Sequence, residues 1–288
     1  MGSIYAGIIT YNPDLERLRQ NIKAILPQVE KLIIVDNGSV SDIQKCVSDM
    51  ELKNCDDKIC FILNKRNFGV AYALNQVMKY SYKNGASWVL TLDQDTVVYS
   101  DIIKMYNEFL SKTTDNSIAS LTCLRLDVNY LENGQQDIAA KYDKIPYSFV
   151  DNCITSGNLL SVKAWYNVKG FENKLFIDMV DDEFCYRLRA NGYRIVRLNQ
   201  YGYLHERGHN ILTVNFFGKK KHIFAYDKKR KYYTARNIIY MCKKYHFRIY
   251  NKYCVYLLKL IIGTLYYEKN KTESMMAYFR GMIDGIRL

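Results

Sequence analysis

Asp93-Gln94-Asp95 sets two carboxylates two positions apart, directly after the apolar run Trp88–Leu92. Carboxylates leaving a strand end at this spacing can hold one hard divalent cation and share it with phosphate oxygens. Mg2+ and Mn2+ suit such a site, because they keep waters and take few protein carboxylates. A bare D-x-D also occurs as a turn or helix cap, so its place at the end of an apolar run gives it weight. Three more polar clusters follow apolar runs in the same way: Thr10-Tyr11-Asn12, Asp36-Asn37-Gly38-Ser39 and Asn64–Asn67. Asp-Asn-Gly-Ser alone is an ordinary turn sequence. Four clusters on one rim make a set.

The elements that would hold these clusters alternate. Ile4–Ile9 is a short β-rich run. Asp14–Leu26 carries Leu15, Leu18, Ile22, Ile25 and Leu26 at helical spacing. Leu32–Val35, Cys60–Leu63 and Trp88–Leu92 have the continuous aliphatic character of buried parallel strands, and Val70–Tyr82 has a helical pattern. Strand, helix, strand, helix predicts right-handed βαβ units. The expected fold class is therefore α/β, a mostly parallel sheet flanked by helices on both faces. Ligands of such sheets bind beyond the carboxyl ends of the strands, where the four clusters lie.

Ile-Thr-Tyr-Asn-Pro (9–13), Val-Asp-Asn-Gly-Ser (35–39), Asn67-Phe68-Gly69-Val70-Ala71-x-Ala73-x-Asn75 and Leu92-Asp93-Gln94-Asp95 resemble, in order and spacing, the successive motifs of family 2 glycosyltransferases. The resemblance covers about the first 100 residues and is specific as a set. It implies the GT-A fold, inversion at the anomeric carbon and a nucleoside diphosphate sugar donor. The Leu-Asp-Gln-Asp form with its Thr-Tyr-Asn-Pro start is most similar to bacterial rhamnosyltransferases that use dTDP-rhamnose; a UDP-sugar is the alternative donor. Implied roles follow position by position. Thr10 and Tyr11 line the base pocket, and Asp36 reads base or ribose. Asn67, Gly69 and Ala73 lie along the nucleotide at a helix start that favours negative charge. Asp93 meets the ribose or a metal-bound water, and Asp95 ligates the metal. Lys65 and Arg66 either assist the pyrophosphate or are exposed turn residues.

Phe176–Arg187 looks like the family's acidic acceptor-site motif. Counting back from Arg187 puts the implied catalytic base at Asp181, with Asp182 as the rival and Glu183 as a further acceptor-side acid. Asp178 reads better as a helix cap. A carboxylate belongs here chemically, since the acceptor hydroxyl must lose its proton as it attacks the anomeric carbon. Acidic residues also favour a first helical turn for structural reasons alone. Ser156 and Gly157, within Thr155-Ser156-Gly157-Asn158, are implied donor-sugar contacts, and Asn158 reads as a plain turn. His205, at the end of Arg194–Leu204, resembles a third metal or pyrophosphate ligand, though a lone His is as often structural. Tyr232-Tyr233-x-x-Arg236-Asn237 resembles a later motif whose Arg could meet pyrophosphate. A basic helix packing its aromatics inward explains it equally.

The charge of +12 is uneven. Glu206–Leu288 holds 18 Lys/Arg against 5 Asp/Glu, and the residues before it hold 23 against 24. Such asymmetry suits a polyanionic surface. The expected organisation is a GT-A domain over 1–215, with a nucleotide half (1–100) and an acceptor half (101–215). A basic, aromatic helical extension over 216–288 would follow. Interleaved cations and aromatics in Phe247–Tyr267 suit a helix lying in a headgroup layer, or a dimer contact. The longest apolar stretch, Tyr253–Tyr267, is shorter than the roughly 20 residues a span needs. Eight cysteines without C-x-x-C or zinc spacing, and no signal peptide, suggest a reduced, cytoplasmic setting, peripheral to the inner face of the plasma membrane. The expected partners are the donor, a lipid-linked glycan acceptor and the membrane surface, and no nucleic acid. Three rivals remain. A nucleic-acid binder would draw on the charge but has no recognised motif. A nucleotidyltransferase would need a basic Gly-rich loop after the first strand, where Thr10-Tyr11-Asn12-Pro13 stands. A silent sugar-nucleotide sensor differs only in turnover.

Overall fold

The structure is a computed structural model that describes every residue except 1, 53–55, 128–144, 206–210, 217–218, 225, 246 and 269. For residues 56, 127, 205, 211–216, 219–224 and 247–251 it describes the backbone alone. The chain forms two compact units. One comprises Met1–Asn173 and Asp181–Arg207; the other comprises Lys174–Val180 and Gly208–Leu288.

The first unit runs β1 (Ile4–Thr10), α1 (Leu15–Ile25), β2 (Lys31–Asp36), α2 (Ile43–Ser48), β3 (Ile59–Leu63), α3 (Val70–Lys83) and β4 (Trp88–Asp93). It continues with β5 (Val97–Val98), α4 (Ile102–Lys112), β6 (Ile118–Asp127), β7 (Tyr147–Phe149), β8 (Asn158–Ser161), α5 (Val162–Asn167), α6 (Val180–Ala190) and β9 (Arg194–His205). Its sheet is ordered β3-β2-β1-β4-β8-β6-β9-β5, with β7 on β9. The first four strands are all parallel, as expected. Beyond β4 the sheet is mixed, because β8 runs antiparallel to both β4 and β6. The register sets Thr10 beside Asp36, Asp36 beside Leu63 and Ile9 beside Asp93. The polar clusters therefore leave one edge of the sheet together.

Strand periodicity sorts the helices onto faces. Ile4, Ala6, Ile8, Leu32, Ile34, Leu90 and Leu92 join Leu18, Ile22 and Ile25 of α1 and Ile102, Ile103 and Tyr106 of α4 in one core. Gly7 points the other way, where a Cβ would lie 2.2 Å from Val77 of α3. Asp14 caps α1 by accepting from the Arg17 N–H at 2.9 Å, which fixes the turn leaving β1.

The second unit opens with a hairpin, not a helix. β10 (Ile211–Phe216) pairs antiparallel with β11 (Lys219–Phe224), and helix begins only at α7 (Lys228–Tyr245). The run Lys219–Lys221 carries charge without a period, so composition alone could not choose between strand and helix there. α8 (Phe247–Tyr267) and α9 (Lys271–Arg287) follow. α9 crosses α7 closely at Gly281 and Gly285, where a Cβ would lie 2.3 and 2.4 Å from the Tyr232 and Arg236 carbonyl oxygens. The half-buried Glu268 accepts from the buried Lys231 ammonium and from Ser274 Oγ (2.7 Å), tying α7 to the chain between α8 and α9. Among the described residues no helix is long and apolar enough to cross a membrane.

Candidate active site

The D-x-D segment is held from three sides. Asn21 Nδ2, on the buried face of α1, donates to the Asp93 carbonyl at 2.8 Å, and Arg17 Nε donates to the Asp95 carbonyl at 2.9 Å. The Asp93 N–H donates to Ser156 Oγ at 3.0 Å, and Ser156 Oγ also meets Thr96 Oγ1 at 2.6 Å. Gln94 turns away from this pair and accepts from the Tyr11 N–H at 2.8 Å. The two aspartates, both half-buried, thus sit on a backbone with little freedom to move.

Asp36 is buried and nearly saturated. It accepts from Thr10 Oγ1 (2.9 Å), the Ser39 N–H (3.0 Å) and Ser39 Oγ (2.5 Å). Asn37 and Asn64 form a second network with Gln76 (Asn64 Nδ2 to Gln76 Oε1, 2.8 Å). Asn37 donates to the Gly69 carbonyl (3.0 Å) and accepts from the Phe68 N–H (3.2 Å). Asn67 Oδ1 accepts from the Gly69 N–H at 2.8 Å. The entry to α3 is therefore preformed, with its first-turn N–H groups on the rim where an anion is favoured.

The segment 152–157 bridges the D-x-D to the acidic start of α6. Asn152 Nδ2 donates to Asp182 Oδ1 at 2.7 Å, and Cys153 Sγ lies 3.8 Å from Cys185 Sγ. At its other end, Ser156 holds Asp93. Four residues span at most about 14 Å, so the two anchoring residues, Asn152 and Ser156, lie within that reach of each other. Gly157 follows with φ 71°, a conformation that suits glycine, and a Cβ there would lie 2.3 Å from the buried Tyr203 ring. Its N–H donates to the Thr91 carbonyl (2.9 Å), and its carbonyl accepts from Tyr106 Oη (2.6 Å). The hydrogen bond with Cys153 and burial raise the Cys185 thiol pKa well above its ordinary value.

A profile of Glycosyl transferase family 2 matches residues 5–158, the stretch that carries this D-x-D and these loops. The chain belongs to that family. Its sequence is 28% identical to the dTDP-rhamnosyl transferase RfbF of Shigella flexneri, across 99% of this chain and 96% of that one. S. aureus TarS in complex with UDP-GlcNAc superposes with a TM-score of 0.63 over 99% of this chain and 81% of that one, at 14% identity. The mannosyltransferase PcManGT from Pyrobaculum calidifontis, in complex with GDP-Man and Mn2+, gives 0.61 over 99% and 75%, at 10% identity. These likenesses establish the GT-A fold, and the protein is a glycosyltransferase.

Against that identity, the structure sorts the sequence expectations. Tyr11 is 44% exposed, but Thr10 is wholly buried, its hydroxyl spent on Asp36. Ala73 is also wholly buried, one turn inside α3, so it packs and cannot touch a nucleotide. Ser156, 1% exposed, is a link between Asp93 and Thr96 rather than a surface for sugar. Asn158, read as a turn, starts β8 and accepts from Ser120 Oγ at 2.7 Å. Glu183 does not face an acceptor. It is wholly buried and grips Arg187 through both oxygens at 2.7 Å, while Arg187 also donates to the Val168 and Gly170 carbonyls. Asn75 completes that support, accepting from Trp165 Nε1 (2.9 Å) and the Phe171 N–H (2.8 Å). Lys65 and Arg66 are exposed, with Arg66 over the Phe68 ring at 4.9 Å.

Asp178 is no cap. It lies in the second unit, in a segment where Phe176, Asp178 and Met179 all have φ 62°. Each such residue costs on the order of 1–2 kcal/mol. Arg236, in the same unit, donates to the Lys174 carbonyl (2.5 Å) and the Leu175 carbonyl (3.0 Å) and stacks over Tyr233 at 4.6 Å. Burial lowers its pKa.

Among the described residues no group of three His, Cys, Asp or Glu is set to hold a metal. The donors the D-x-D could offer a cation are the carboxylates of Asp93 and Asp95. The ladder Val97↔Leu204 between β5 and β9 brings the backbone of His205 beside Thr96, one residue from Asp95, while its side chain lies outside the described residues. Two hard oxygen donors are the kind that Mg2+ or Mn2+ takes from protein, the remaining positions going to waters and phosphate oxygens. Arg17, Asn21, Asn152 and Gln76 were not singled out from sequence. Asn21 left a trace there, as the lone amide on the apolar stripe of Leu18, Ile22 and Ile25.

Proposed function

We propose that this enzyme transfers a sugar from a nucleoside diphosphate, with dTDP-rhamnose the first choice and a UDP-sugar the alternative. The acceptor is a hydroxyl of a lipid-linked glycan at the inner membrane face, in the synthesis of a cell-surface polysaccharide. The observation that carries the reading is the 152–156 segment, which anchors the D-x-D at one end and the acidic start of α6 at the other. Full-length similarity to RfbF favours the rhamnose donor.

In this reading Asp95, with Asp93 and His205, holds Mg2+ or Mn2+, which offsets charge on the departing diphosphate. Tyr11 lines the base pocket, Asp36 orders the loops around it, and Asn67 with Gly69 presents the α3 N-terminus to phosphate. Asp181 takes the acceptor's proton as its oxygen attacks the anomeric carbon from the face opposite the leaving group, giving inversion in one step. The resemblance of 176–187 to the family's acidic motif favours Asp181 as the base, and Asp182 is bonded to Asn152. Residues 1–100 serve the donor, 101–215 the acceptor, and 216–288 the membrane surface.

The test is release of nucleoside diphosphate from a panel of dTDP-, UDP- and GDP-sugars, with a lipid-linked acceptor, before and after EDTA. Turnover with dTDP-rhamnose, lost on chelation and restored by Mg2+ or Mn2+, is expected. Metal-independent turnover sinks the metal assignment, and preference for a UDP-hexose sinks the rhamnose assignment.

A further inference from the structure

The residues just before Asp181 hold an unfavourable backbone, and one buried amide holds them there. Phe176, Asp178 and Met179 all lie in the left-handed region, which non-glycine residues leave unless the surroundings over-determine it. α7 supplies the over-determination. Asn237, wholly buried, brings Nδ2 within 2.7 Å of the Leu175 carbonyl, 2.6 Å of the Ile177 carbonyl and 2.9 Å of the Asp178 carbonyl. One turn earlier, Thr234 Oγ1 donates to Asp178 Oδ2 at 2.6 Å, and Arg230 pairs with Asp178 Oδ1 at 3.1 Å. Tyr233 stacks on the Phe176 ring at 4.6 Å. A single face of α7 therefore grips the segment at its carbonyls, its carboxylate and its ring.

We infer that Asn237, assisted by Thr234, is a positioning residue for Asp181. The inference rests on Asp181 being the base. The covalent path from the gripped residue 178 to Asp181 is three residues, and α6 begins at Val180. Released from Asn237, residues 176–179 relax toward ordinary φ values, and the first turn of α6 rotates with them. The carboxylate then meets the acceptor hydroxyl at the wrong distance, a misplacement that affects the chemical step and leaves donor affinity alone.

The experiment compares Asn237→Ala, Thr234→Val, Thr234→Ser and Asp181→Asn, measuring kcat, donor KM and thermal unfolding for each. Asn237→Ala and Thr234→Val are expected to lower kcat about 30- to 100-fold with donor KM within about twofold of the parent enzyme. Thr234→Ser, which keeps the hydroxyl, should restore most of the loss. Thr234→Val and Thr234→Ser decide the matter alone if Asn237→Ala does not fold. Parent-like kcat in Thr234→Val, equal loss in Thr234→Ser, or kcat and donor KM worsening together overturns the inference. Asp181→Asn separates the two claims. If it keeps turnover, the base assignment falls and takes this inference with it; if it is dead while the α7 variants are unimpaired, only the positioning role falls.

Discussion

Asn152 Nδ2 donates to Asp182 Oδ1 at 2.7 Å, tying the segment before β8 to the first turn of α6. Four residues on, Ser156 takes the N–H of Asp93. One short stretch of chain thereby sets the spacing between the D-x-D and the acidic helix start.

The two neighbouring aspartates are accordingly expected to behave differently. In the proposed mechanism Asp181→Asn removes the proton acceptor while keeping volume, so turnover should fall at least about 1,000-fold, within the range of positioned acid–base catalysis. Donor affinity by titration calorimetry should stay within about twofold. Asp182→Asn keeps an oxygen for Asn152 and should lose about tenfold or less. If Asp182→Asn proves the more damaging, the roles are exchanged.

Glu183 was expected at the acceptor and is found in the core, which yields an opposite signature. Glu183→Ala leaves Arg187 half-buried among the Val168 and Gly170 carbonyls without its counter-charge. Removing one partner of a buried pair costs about 3–5 kcal/mol. Urea unfolding should show that loss, whereas Asp181→Asn should unfold like the parent. A Glu183→Ala protein of undiminished stability would mean the pair contributes nothing.

The nucleotide half was legible because its signals repeat. Aliphatic runs set β1 to β4 within a residue or two, and Asp14 marked the start of α1. α2 was missed, since six residues carry too little periodicity to register. In the site, residue type identified the clusters but not their orientation. Thr10, Ala73 and Ser156 lie beside the polar clusters with their side chains buried, and one register step or one helical turn decides that. Glu183 and Asp181 differ by two positions on α6, about 200° around a helix, so one is buried while the other stays half-buried. Arg236 was read as a pyrophosphate contact or part of a packed basic helix, yet its donors and those of Asn237 go to backbone carbonyls that only the folded segment presents.

Acid should weaken the α7–α9 unit through Glu268. Burial raises its pKa, but the Lys231 ammonium and the hydroxyls of Ser274 and Thr264 outweigh that and hold it below the ordinary glutamate value. A depressed carboxylate contributes stability that is complete above its unfolded pKa and is lost as pH falls through the folded value. Circular dichroism of urea unfolding from pH 7 to pH 3 should show this loss below about pH 4.5. Lys231→Met, which removes the counter-charge, should flatten it. An unchanged acid limb in Lys231→Met assigns the loss elsewhere.

α8 turns Val255, Leu258, Ile262 and Leu265 outward, about 50% exposed each, with the exposed Lys252 and Lys259 beside them. An outward apolar stripe flanked by cations suits the boundary of an anionic bilayer, where each lysine contributes about 1 kcal/mol. The enzyme should sediment with phosphatidylglycerol vesicles, weakly with phosphatidylcholine, and less as salt rises. Leu258→Glu combined with Ile262→Glu should abolish sedimentation while leaving turnover on a detergent-soluble acceptor intact. Lys252→Gln with Lys259→Gln should weaken binding by about 2 kcal/mol, roughly 30-fold. A dimer by sedimentation velocity that the Leu258→Glu, Ile262→Glu pair dissolves, with no vesicle binding by either form, would assign this face to a second copy instead.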